Sequence, residues 1–206
     1  MVVITFEQPL LDRPLAPLAR SISDVLSPPA LAVPGLLLGV WASSTPGTYR
    51  FALMYFAAAV IVPMFYMLWL LKVGLISDFH MARREERIRP FVCTLLCGVA
   101  AVALLAWYRA PGDFVAPLLT LLVETLVLFA VTLFWQISVH AATVAGLATF
   151  AVCAMGPAAL PLLALVPVVA WARLYLHRHT PLQCVAGASL GCLAFVTLYA
   201  MRGWVW

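Results

Sequence analysis

The chain has 206 residues, of which 65% are hydrophobic and only 10% charged, and its mean hydropathy is +1.06. A soluble domain is about half apolar and about a quarter charged, so this chain cannot cover its outside with polar groups, and lipid is its expected solvent. The net charge of +4 comes without a long basic stripe or interleaved aromatics; it therefore speaks against a nucleic-acid partner and for membrane orientation and anion binding.

In chain order, residues 1–29 read as an interfacial lead-in. Glu7, Asp12, Arg13, Arg20 and Asp24 lie there among prolines, without the short apolar core after a basic start that marks a cleavable signal. PLARSISDVL (17–26) predicts an amphipathic turn. Residues 30–206 read as a single all-α domain, a polytopic membrane bundle of six or seven transmembrane helices. The apolar stretches fall at about 30–46, 51–76, 91–108, 115–135, 141–156, 158–175 and 181–201. The first is short and interrupted by Pro34 and Gly35. The sixth holds Pro161 and Pro167, so a kink is expected there. The last contains GASLG (187–191), a spacing of small residues that lets helices approach closely. The five cysteines (Cys93, Cys97, Cys153, Cys184, Cys192) sit in or beside apolar runs without a CxxC pair and read as small buried side chains.

The polar islands are SDFHMARREERIRP (77–90), QISVH (136–140) and WARLYLHRHTPLQ (171–183). An even number of crossings separates each from the next, so all share one face of the bilayer. With seven spans, that face holds Arg13, Arg20, Lys72, Arg83, Arg84, Arg87, Arg89, Arg173 and Arg178, against Arg50, Arg109 and Arg202 opposite. The positive-inside tendency puts the richer face in the cytoplasm, and an inner membrane of bacterial type is the expected location.

Each island has a plain reading and a chemical one. The arginines of 77–90 either set topology or turn inward to hold a phosphate, which suits a planar guanidinium that never loses its charge. His140, at a helix start, either caps that helix or delivers a proton to a leaving oxygen beside the positive end of the helix dipole. His179 and Gln183 are four apart and share a helix face. The amide oxygen could accept from one ring nitrogen and leave the other as a lone pair, as a nucleophilic histidine requires. His177 and His179 as a metal pair would lack carboxylate or thiolate partners, so no metal and no cofactor is expected. Glu124, inside LLVETLV, is an ionisable group in an apolar run and a functional candidate by position. It would pair with an arginine, supply a carboxylate near His179, or sit protonated or at the interface.

Taken in order, the islands resemble the three motifs of the type 2 phosphatidic acid phosphatase family: Lys-x6-Arg-Pro, Pro-Ser-Gly-His and Ser-Arg-x5-His-x3-Asp. The chain offers Arg89-Pro90, Ser138-Val139-His140 and Arg173-x5-His179-x3-Gln183, over residues 77 to 200. The resemblance implies His179 as nucleophile and His140 as the acid for the leaving group. It implies Arg89, Ser138 and Arg173 as grips on the phosphate oxygens, with Arg83 or Arg84 standing in for the lysine, whose position is Ala82. Val139 replaces the glycine. Gln183 replaces the aspartate that would stabilise the developing imidazolium; in a comparable triad that exchange costs about ten-thousand-fold. The implied activity is phosphatase or phosphotransferase action on a lipid phosphate or isoprenoid diphosphate. A lipid-phosphate-binding protein or complex subunit without turnover is the alternative. The small-residue helix faces, with Trp204 and Trp206, would suit docking to a second copy or a membrane complex. A transporter would call for repeats and a polar line across the membrane, and the sequence has neither.

Overall fold

The computed structural model describes residues 14–79, 81 and 83–203. Residues 1–13, with Glu7, Asp12 and Arg13 of the lead-in, His80, Ala82, and residues 204–206 with both tryptophans lie outside the described residues. The described chain is helical throughout, with no strand: α1 Ala16–Val25, α2 Pro28–Ser43, α3 Thr48–Phe56, α4 Val62–Lys72, α5 Ile88–Trp107, α6 Gly112–Thr132, α7 Val139–Met155, α8 Leu165–Tyr175 and α9 Pro181–Arg202. Five stretches are long and apolar enough to cross a membrane: Thr48–Lys72, Glu85–Trp107, Gly112–Thr132, Val139–Tyr175 and Pro181–Arg202. The pair α1 and α2, bent by 41°, is a sixth candidate.

Proline and glycine set the breaks. Pro63 has no N–H to return to Ala59, so the ladder widens just before it into a π-helical turn over Ala57–Ile61, where Val62 N–H bonds Ala57 C=O. That turn joins α3 to α4 in one rod. Gly156 ends α7 at φ 73, ψ −158, a conformation essentially reserved for glycine. The chain continues as a 3₁₀ stretch, Gly156–Ala164, that carries Pro161, and then as α8. α8 packs back on α7, which a straight rod of 37 residues could not do. Val139–Tyr175 therefore leaves and returns, and the expected break in the sixth stretch falls at its start rather than at its prolines.

Neighbouring passes alternate in direction. At one end Gly39 of α2 meets Phe114 near the start of α6, Ser43 bonds Thr48 at 3.1 Å, and Arg202 at the end of α9 bonds Asp113 at 3.0 Å. At the other end Phe91 and Ala186 pack with Ile137 and Leu128. The segments 73–87, 133–138 and 176–180 gather at this second end, and α1 joins them. Its small face, Ala16, Ala19 and Ser23, packs on α8, while Arg20 points outward. α1 is thus a longer amphipathic helix than a single turn.

α7 and α9 form the tightest contact. A Cβ on Gly187 would collide with the Ser138 carbonyl, and one on Gly191 with the Ala142 carbonyl and the Gly146 nitrogen. The small-residue spacing of 187–191 brings the two backbones together, and this registers the starts of both helices against one another.

Candidate functional site

Where α7 and α9 begin, Ser138 N–H donates to the Gln183 carbonyl at 3.2 Å. Thr180 caps α9 in a reciprocal box: Gln183 N–H donates to Thr180 Oγ1 at 3.4 Å, and Thr180 N–H donates to Gln183 Oε1 at 2.9 Å. His179 Nδ1 lies 3.1 Å from the same Oε1. Because that oxygen already accepts from a backbone N–H, it is an acceptor for the ring as well. Nδ1 carries the proton and Nε2 keeps its lone pair. His179 is only 8% exposed. Burial, then the charges of Arg173 and Arg87, push its pKa down to about 3, so the ring is neutral at physiological pH.

A tight turn carries the chain from α8 to this cap. Arg178 N–H bonds Arg173 C=O at 3.0 Å and His177 N–H bonds Leu174 C=O at 2.9 Å, with His177 in the left-handed region at φ 51. The turn holds Arg173 one helix end away from His179. Arg173 is 1% exposed and is the largest fully buried side chain among the described residues. Its Nη1 donates to Ser23 Oγ at 2.8 Å, while its Nε is buried with no protein acceptor. No carboxylate pairs with it among the described residues. A guanidinium so buried leaves one N–H donor without a protein acceptor and can accommodate an anion.

Arg87, in the 3₁₀ turn Glu85–Arg87 ahead of α5, is the second inward guanidinium. It is 5% exposed and its Nε donates to the Met81 carbonyl at 3.0 Å. Arg178 bonds Asp78 at 3.1 Å nearby. His140, in the first turn of α7, completes the group.

Arg87, Arg173, His140 and His179 line the mouth of one cavity of about 340 Å³, within the size range of small-molecule sites. Below the mouth its walls are apolar and often small. Gly35 and Leu36 of α2, Gly98 of α5 and Leu147 of α7 lead toward Tyr55 and Phe114 at the far end. The shape is a cationic head on a greasy tube.

The other residues expected from the sequence sit elsewhere. Arg89 is exposed and lines a separate shallow groove with Tyr66, Val92 and Cys93. Arg83 is exposed, and Arg84 ties the loop to the end of α6 by donating to the Phe134 carbonyl at 2.9 Å. Ser138 is fully buried and caps α7, its Oγ accepting from Ala141 N–H at 3.4 Å; it does not line the cavity. Gln183 lies behind His179, not in the cavity wall. His177 is exposed where His179 is buried, and among the described residues no group of three His, Cys, Asp or Glu could hold a metal ion. Glu124 lines the cavity but forms no ion pair with an arginine among the described residues.

The structure, not the sequence, singles out Arg87. Pro90 is buried and faces the cavity, and a residue three positions earlier on the same helical turn shares its face. Comparison of the chain with protein-family models, with curated proteins and with solved structures finds no match.

Proposed function

We propose that the protein is a membrane-embedded phosphatase or phosphotransferase acting on a lipid phosphate or isoprenoid diphosphate, and a divergent relative of the type 2 phosphatidic acid phosphatases. One observation carries this reading: two histidines and two buried arginines from four separate chain segments converge at the mouth of a single apolar cavity. The phosphate would sit between Arg87 and Arg173, with the hydrocarbon tail in the tube.

His179 Nε2 would attack phosphorus as the bond from phosphorus to the leaving oxygen breaks. His140, protonated, would give its proton to that oxygen. The ring keeps its Nδ1 proton on Gln183 Oε1 and becomes cationic once phosphorylated. Water would then attack the phosphohistidine, His140 taking a proton from the water, and His179 would be released neutral. Charge on the equatorial oxygens is held by the guanidiniums, which do not need reorganising during the reaction.

The alternative, binding without turnover, draws on the shared Gln183 oxygen. It accepts two hydrogen bonds already and has no negative charge to stabilise the imidazolium. Phosphate release by the purified protein separates the two. Wild type should exceed His179→Ala and His140→Ala by at least about a thousandfold; equal rates for all three would remove the enzymatic reading. Gln183→Glu keeps the capping box and adds the charge, so it should raise the rate of the chemical step by about tenfold or more. In this proposal the site faces the cytoplasm of a bacterial-type cell, following the cation distribution.

A further inference from the structure

We propose that the cavity contains a second recognition tier, centred on Glu124, that selects chains carrying a hydroxyl group at a fixed distance from the phosphate. This rests on the reading of the mouth as a phosphate site. Glu124 is 3% exposed, lines the cavity, and has its Oε2 buried with no hydrogen-bond partner. Gly146 gives it room, for a Cβ there would stand 3.4 Å from that oxygen.

Glu124 is not alone at its depth. Thr125 of α6, Thr94 of α5 and Thr143 of α7 also line the cavity. The helix ends that frame the mouth are Arg87, Thr132 and Ser138. Counted from them at about 1.5 Å per residue, these four side chains lie roughly 8–12 Å down their helices. Thr125 Oγ1 donates to the Leu121 carbonyl at 2.7 Å, which leaves its lone pairs to accept. Three helices thus place acceptor groups within about 5 Å of one another in depth, in an otherwise apolar tube.

A carboxyl group in such a wall destabilises the protein unless something donates to it. No protein group does so for Oε2, and Glu124 lines the cavity, so a bound chain can reach its carboxyl group. A bound chain with a hydroxyl about 10 Å from its phosphate would supply that donor. A chain without a hydroxyl would instead leave the carboxyl facing methylenes and bind more weakly, because sites built to bond a hydroxyl discriminate against analogues that lack it. The class of ligand is therefore a phosphorylated amphiphile hydroxylated part-way along its chain.

The test compares dodecyl phosphate with 8-hydroxydodecyl phosphate on the full chain in detergent, wild type against Glu124→Gln and Glu124→Leu. Equilibrium binding and phosphate release are measured separately. Wild type should bind the hydroxylated probe about tenfold or more tightly. Glu124→Leu should lose that preference and melt no lower than wild type, because it removes an unmatched group. Glu124→Gln, which keeps an acceptor, should retain most of the preference. A wild type that does not discriminate, a preference that survives in Glu124→Leu, or binding of neither probe overturns the proposal. Discrimination in binding without phosphate release sinks the phosphatase reading alone. Phosphate release without discrimination sinks the second tier alone.

Discussion

Arg87 and Arg89 are two residues apart at the start of one helix and face opposite ways: Arg87 is buried at the cavity mouth and Arg89 is exposed on the outer groove. If Arg87 grips the phosphate, Arg87→Ala should lower kcat/KM at least about a hundredfold, whereas Arg89→Ala should change it less than about threefold. The reverse order would return the phosphate grip to the Arg-Pro pair. His179 makes a pH prediction of its own. Its folded pKa of about 3 lies below the ordinary 6.5, so between those values the unfolded chain binds more protons than the folded one. Stability is then fully present above about pH 6.5 and declines as the pH falls toward 3. Between pH 6.5 and 5 the loss is about 2 kcal/mol at most. Thermal melts of His179→Asn in detergent should fall less over that interval than those of wild type. Parallel curves would mean that the ring is not held neutral by its surroundings.

Among the helices, the contact of α7 with α9 decides whether the site assembles, because it aligns Ser138 with Gln183 and so brings the helix starts that carry His140 and His179 to the same end of the cavity. Gly191→Val would drive a side chain into the Ala142 carbonyl, and the helices would have to separate. We expect a loss of several kcal/mol, seen as a melting temperature lowered by ten degrees or more, with activity lost even where the protein still folds. This contact was legible in the sequence, since GASLG has only one structural reading inside an apolar run. So was the gathering of polar islands on one face, which follows from parity alone. The inward arginine was harder to assign. A short polar loop can enter α5 in several phases, and only the buried face of Pro90 selects Arg87 over Arg83, Arg84 or Arg89. Ser138 was read as a phosphate grip, yet at the start of α7 it caps the helix, an equally good use of a hydroxyl there. The π-helical turn at Ala57–Ile61 leaves almost no sequence trace beyond Pro63.

At the scale of the whole molecule, the direction of each pass determines whether the site can exist. Were Val139–Tyr175 a single crossing, His140 and His179 would lie on opposite leaflets and Arg202 would share a side with Glu85. The reversal at Gly156 puts them otherwise: Glu85 and Arg20 lie at the mouth end, and Arg109 and Arg202 at the far end. Single cysteines at these positions, in a chain whose five native cysteines are replaced by serine, report the arrangement through a membrane-impermeant thiol reagent. These substitutions touch surface charges, whose pairs contribute about 1 kcal/mol or less, so the fold should tolerate them. In intact cells, Arg109→Cys and Arg202→Cys should react from outside. Glu85→Cys and Arg20→Cys should react only after the membrane is opened, as the heavier share of cations at that end implies. If all four react in the opposite sense, the fold stands and the mouth faces outward, which would make the substrate an extracytoplasmic lipid. If Arg202→Cys reacts on the same side as Glu85→Cys, the two histidines cannot meet, and the cavity mouth cannot be a catalytic site.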